Sequence, residues 1–134
     1  MSVLPRLPRL MRLGPPIVLI GHRCSRCDRA AFPPDPYGCE ACGAESDQLA
    51  PIDLAANGVI HSLATVHRHH GDTPATPFTV ATVVLDGGPT LKAVLLGTTE
   101  EAQVGGRVRG VTEVTGLDES GNQIVDLRFE VEAS

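Results

Sequence analysis

Tryptophan is absent from this 134-residue chain, and its aromatic residues are three Phe and one Tyr. A core without aromatic bulk must be packed from Val, Leu, Ile and Ala. Long apolar runs are missing too. Ile17–Ile20 and Ala93–Leu96 fall far short of the roughly 20 residues that a membrane-spanning helix needs, so no membrane partner is expected. Acidic residues are missing from positions 1–23, which hold Arg6, Arg9, Arg12 and Arg23. The rest of the chain therefore carries seven basic and sixteen acidic residues. Such an acidic body argues against nonspecific nucleic-acid binding, which needs a basic surface for phosphate contacts. Cysteine is missing everywhere except between positions 24 and 42.

What is present in quantity is Gly, fourteen residues, and Pro, eleven. Both punctuate a chain into turns and short elements, which favours β structure over long helices. The length suits one ordinary domain or a small domain with an appendage. The opening MSVLPRLPRLMRLGPP is Arg-rich, as transit peptides are, but Pro5, Pro8, Pro15 and Pro16 forbid a long amphipathic helix. No secretory h-region follows. Residues 1–16 are expected as a flexible or partner-binding arm on a cytoplasmic protein.

The four cysteines stand as C-x2-C, eleven residues, C-x2-C: Cys24, Cys27, Cys39 and Cys42. Two residues between paired cysteines let one tight turn aim both thiolates at the same ion, and a second such turn completes a tetrahedron. Gly43 follows the second pair where a positive φ turns backbone N–H groups toward sulfur. Asp28 stands at the equivalent place after the first pair and tolerates that conformation better than most residues. Arg23, Arg26 and Arg29 would offset part of the −2 charge of a zinc ion held by four thiolates. Two disulfides are the competing reading, but without a secretion signal a reducing compartment is favoured. A thioredoxin-type redox site needs one C-x2-C in a βαβ setting, and here there are two. One structural zinc per chain is preferred to iron, because the rest of the chain shows no electron-transfer chemistry, although spacing alone does not separate the metals. Residues 17–50 are thus read as a zinc ribbon. Its inter-knuckle segment AAFPPDPYG is an extended loop, with Phe32 and Tyr37 expected to pack on the ribbon.

From residue 51 onward the period is two. Gly58–Val66, Phe78–Leu85, Thr90–Leu96, Arg107–Val114 and Gln123–Val131 read as five strands. In the last, Val125, Leu127, Phe129 and Val131 face one way. Asp86-Gly87-Gly88-Pro89 and Asp118–Asn122 supply turns. Thr98-Thr99-Glu100-Glu101 resembles a capping box opening at most one helical turn. Five strands with a short helical element between the third and fourth is the layout of an OB-fold. The fold class is mainly β: an N-terminal four-cysteine zinc ribbon, then a five-stranded OB-fold Greek-key barrel over residues 51–134.

IVLIGHRCSRC, FPP, GCEACG, NGVIHSLATVHR, TPFTVATVVLDGGP and VGGRV stand in an order that resembles a known family. They are similar to the acyl-CoA-associated OB-fold proteins with an N-terminal rubredoxin-like zinc ribbon, the domain-of-unknown-function-35 family, over residues 17 to 131. Members usually begin with helices that dock on a partner, whereas Ser2–Pro16 is too proline-rich for that. The resemblance implies a non-catalytic accessory subunit beside a thiolase-fold or thiolase-like catalytic chain, in a hetero-oligomer that binds or encloses acyl-CoA. The partner would perform thiolysis, aldol cleavage or condensation, and its chain would hold the catalytic residues. This agrees with the residues themselves, since no G-x-S-x-G or other nucleophile–base set is visible.

The loop VHRHHGD is the most conspicuous polar cluster. Three histidines in four loop positions reach one ion only with difficulty, so a second metal site with Asp72 is disfavoured against a solvated loop. The functional alternative takes His67, Arg68, His69 and His70, with Phe78 nearby, as acyl-CoA contacts shared with the partner. Arg107, Arg109 and Glu113 read as a charged outer face. The rival function is single-stranded nucleic-acid binding, the commonest use of isolated OB-folds. It needs exposed aromatics on a basic groove, and this barrel offers Phe78 and Phe129 on an acidic body.

Overall fold

The computed structural model describes residues 2–67, 77–96 and 102–132. Ten strands follow one another: β1 (Val3–Pro5), β2 (Met11–Arg12), β3 (Val18–Cys24), β4 (Ala30–Ala31), β5 (Leu49–Ala55), β6 (Asn57–Val66), β7 (Phe78–Leu85), β8 (Thr90–Leu95), β9 (Arg107–Leu117) and β10 (Gln123–Val131). A single 3₁₀ turn, Ser46–Gln48, precedes β5. The residues expected to be helical, Thr98–Glu101, lie outside the described residues.

Alternation decides the barrel. In β7 the inward positions Ala81, Val83 and Leu85 are buried, as are Ile60 of β6, Val108 of β9, and Val125 and Phe129 of β10. Five strands close around them. β6 pairs with β7, β7 with β8, β8 with β10, β10 with β9, and β9 returns to β6. All these pairings are antiparallel except β8–β10. This is the OB-fold barrel, closed so that the sheet escapes most of its edge problem. Closure brings backbones close: a Cβ on Gly58 would lie 2.4 Å from the Val84 carbonyl oxygen, so only glycine fits there. Leu85 N–H donates to the Pro89 carbonyl across the expected hairpin turn. In the second turn the Asp118 carboxylate accepts from the N–H groups of Ser120 and Asn122 and from the Asn122 amide. These bonds, the Asn122 side chain's first, hold the Asp118 carboxyl below the usual range.

The outer face of β9 is charged, as read from the sequence, and its charges are ion-paired. Arg107 meets Asp86 and Glu132, Arg109 meets Glu130, and Glu113 meets Arg128.

β3 carries the second sheet, flanked by β5 along its whole length and by β2 and β4 on the other side. Leu19 of β3 and Leu54 of β5 join Ile60, Val83, Leu85 and Phe129 in one continuous core. Phe32 packs against that shared core rather than on the cysteine end. Tyr37, expected to pack on the ribbon, is instead 91 % exposed. Its N–H is held by the Asp35 carboxylate in a tight turn, and the ring projects to solvent.

Residues 2–16, expected as a flexible or partner-binding arm, lie along the rest of the chain. β1 runs parallel to β10, β2 pairs with β3, and Met11 is buried. The prolines that forbid a helix leave extended backbone free to pair. The Arg6 guanidinium donates to the Asp126 carboxylate and to the Thr115 hydroxyl, which itself donates to Asp126. No helix among the described residues is long and apolar enough to cross a membrane.

Candidate metal centre

Each C-x2-C pair forms the same turn. The Asp28 N–H returns to the Cys24 carbonyl at 2.8 Å, and the Gly43 N–H to the Cys39 carbonyl at 2.9 Å. Asp28 has φ +68° and Gly43 φ +77°, the left-handed conformation expected after each cysteine pair. That twist aims main-chain donors at sulfur. Cys24 Sγ accepts from the N–H groups of Cys27 and Arg26, and Cys39 Sγ from those of Cys42 and Ala41. They lower the Cys24 thiol and hold Cys39 down to about 6. Cys27 also accepts a bond, from the Arg29 N–H, which lowers it. Burial and the three neighbouring sulfurs outweigh that bond and push it up to about 11.

The four Sγ atoms all lie within 4.8 Å of one another. Cys24 and Cys42 are 3.7 Å apart, and Cys27 and Cys39 are 3.6 Å apart. A tetrahedral ion with metal–sulfur bonds of about 2.3 Å requires sulfurs about 3.8 Å from each other, so the donor set fits such an ion. The four cysteines can hold a metal. Behind the cage sits only a minor apolar cluster, in which Ala44, Cys42 and Leu49 back the buried Cys24 and Cys39. Arg23 leans over the first turn, donating to the Asp28 carbonyl and pairing with its carboxylate.

One supporting residue escaped the sequence reading. His22 is 4 % exposed, and its Nδ1 accepts the Asp35 N–H at 3.1 Å, tying β3 to the proline-rich loop. Its position two before Cys24 on one strand face was the available signal.

Of the expected acyl-CoA contacts, His67 and Phe78 lie at the outer end of the β6–β7 pair, where Val66 pairs with Phe78. His67 is exposed and Phe78 half-buried. Arg68, His69, His70 and Asp72 lie outside the described residues. β6 touches β9 only through residues 57–59. Beyond the irregularity between Ile60 and Ser62 the strand is exposed from His61 to Thr65. Among the described residues the outer half of β6 thus pairs with β7 alone, while β7 stays paired with β8 as far as Thr79.

Residues 52–113 match the family model described as ChsH2, C-terminal OB-fold domain. The barrel is similar to the ChsH2-type OB-fold. The resemblance read from the sequence, to the domain-of-unknown-function-35 proteins, is borne out. A chain of the solved structure described as the Ltp2–ChsH2(DUF35) aldolase is 25% identical, with a TM-score of 0.59 over 82% of this chain and 83% of that one. That coverage is too long to be confined to the ChsH2-type barrel. A protein of unknown function from the DUF35 family of Sulfolobus solfataricus is 21% identical, with a TM-score of 0.50 over 84% of this chain and 75% of that one. It supports the fold alone. No curated protein sequence matches the chain.

Proposed function

We propose that this chain is the non-catalytic accessory subunit of an acyl-CoA-processing enzyme whose catalytic chain has a thiolase fold. The carrying observation is the likeness to the Ltp2–ChsH2(DUF35) aldolase, which extends past the ChsH2-type barrel. In this reading Cys24, Cys27, Cys39 and Cys42 hold one structural zinc ion. Zinc, when bound, cross-links the two turns and supplies folding energy that so small a cluster of apolar residues lacks. The partner carries the reacting groups. This chain helps to bind and enclose the CoA thioester, because burial and positioning of a long substrate favour reaction.

The open outer edge of β6 supports a place for the CoA contacts. It ends at the exposed His67, with Arg68, His69 and His70 next in sequence and Phe78 paired with Val66. An arginine holds a phosphate through two parallel hydrogen bonds, a geometry that lysine lacks.

Purification of the tagged chain from its native host tests the reading. A larger thiolase-fold chain is expected to accompany it at fixed stoichiometry. In that complex Arg68→Ala should raise KM for acyl-CoA and lower kcat/KM about ten- to hundredfold, with zinc content unchanged. Recovery as a lone monomer would overturn the accessory role. Wild-type kinetics for Arg68→Ala would remove only the loop from it.

A further inference from the structure

At its Thr90 end β8 comes away from the neighbouring strand. β8 and the parallel β10 meet only at Leu95 and Phe129. Toward Thr90 they part, and β1 takes the place beside β10, pairing with Gln123, Ile124 and Val125. The Arg6 N–H then donates to the Val125 carbonyl, and the Ile20 N–H of β3 to the Leu10 carbonyl. Residues 6–11 thus strap the barrel to the second sheet over an opened seam. The turn leading into this freed end of β8, residues 86–89, stands across from β4. A trench of about 510 Å³ runs between them.

Both walls of the trench are fixed. On the barrel side a Cβ at Gly87 would lie 2.7 Å from Leu54 Cδ2, so the turn is pressed onto the core. On the other side Ala30 and Ala31 pair with Arg23 and His22 of β3, and the Cys24 N–H donates to the Arg29 carbonyl. The far edge of β4 has no strand partner among the described residues. Its two side chains are methyl groups, so another backbone can come close.

Arg23 and Arg29 line the same trench, with Asp28 as its one acid. Asp28 is taken up by Arg23, through its carbonyl and its carboxylate. Arg29 is exposed and takes part in no ion pair among the described residues. By contrast Arg6, Arg12, Arg107, Arg109 and Arg128 each have an acidic partner. An open strand edge and an unpaired guanidinium select two halves of one ligand: main-chain groups for the ladder and a carboxylate for the arginine. A small anion would use the arginine and leave the edge bare.

We propose that the trench takes an extended acidic segment of a partner polypeptide, which adds a short strand to the free edge of β4 and sets a carboxylate on Arg29. Local positive potential on a chain of net charge −5 steers such a segment to this place and fixes its register. Walls that are already rigid keep the cost of ordering low. Only the identity of the chain that supplies the segment rests on the accessory-subunit reading.

The test is a titration of the ¹⁵N-labelled, zinc-loaded full chain with the peptide acetyl-Glu-Val-Glu-Val-Glu-Val-amide, followed by amide shifts. Saturable shifts are expected at residues 29–32 and 87–90, with Kd below about 1 mM. The Lys-Val counterpart of the peptide should not bind. Arg29→Glu should weaken binding by about tenfold or more. Arg26→Glu changes an exposed arginine of the same cysteine turn that does not line the trench, and should weaken it far less. Equal losses in the two variants would reduce the effect to diffuse charge attraction and overturn the proposal. So would the absence of saturable shifts, or shifts confined to other strands. Inorganic phosphate or CoA filling the trench while the peptide does not would make it a small-anion site, which also overturns it. None of these outcomes bears on co-purification of a thiolase-fold chain, so the two readings fail separately.

Discussion

Single residues at the cage and at the strap carry opposite kinds of charge logic. At the cage, four sulfurs within 4.8 Å repel one another as thiolates unless a cation sits between them. Metal analysis should give about one zinc per chain, and Cys39→Ser should bring it near zero. Iron with a rubredoxin-like colour, or two disulfides by mass spectrometry, would refute the zinc assignment. At the strap, burial raises the Asp126 carboxyl, but the Thr115 hydroxyl and the Arg6 guanidinium outweigh it and hold the group below its usual range. A depressed carboxyl contributes stability that is present above its unfolded value of about 3.9 and is lost as pH falls through the folded one. Asp126→Asn should therefore cost about 1 kcal/mol at neutral pH and lose less stability than wild type on acidification below about pH 4. Urea unfolding at several pH values checks this, and parallel pH profiles would show that the pin contributes nothing.

Strands differ in how much their side chains matter. Phe129 is wholly buried on β10, beside the one point where β8 closes the barrel. Phe129→Ala should cost about 3–5 kcal/mol, through lost burial and the cavity left behind. Leu117 ends β9 at 68 % exposure, and Leu117→Ala should stay within about 0.5 kcal/mol in the same denaturation assay. Equal losses would mean that the barrel end is buried in solution by another chain. The alternation Val125, Leu127, Phe129, Val131 was legible in the sequence because a strand's inward face depends only on its own pleat. The place of residues 2–16 was not. Their prolines excluded a helix, but which strand edge they would join depends on β8 parting from β10, about a hundred residues further along.

The molecule as a whole combines an acidic body with a metal-dependent end and one apolar core common to barrel and second sheet. Its OB-fold barrel belongs to an architecture that often binds single strands of nucleic acid. Such binding needs stacking aromatics on a basic groove, whereas Phe129 is interior and the outer arginines Arg107 and Arg109 are already ion-paired. Single-stranded DNA or RNA at about 150 mM salt should bind no tighter than about 10⁻⁴ M. Submicromolar affinity with a steep salt dependence would reinstate that function.

Sequence by itself determined the cysteine cage and the five barrel strands. Both C-x2-C turns, the left-handed Asp28 and Gly43, and the five alternating runs are local patterns, set by neighbours a few positions apart. Tertiary structure alone decided that Phe32 serves the main core while Tyr37 stays in solvent, and that His22 braces the loop. It alone turned the arginine-rich start into a strap over the β8–β10 seam. Arg6 meets Asp126 and Thr115 across more than a hundred residues. Contacts of that separation leave no period in the sequence, because they exist only once the barrel has closed everywhere except at that seam.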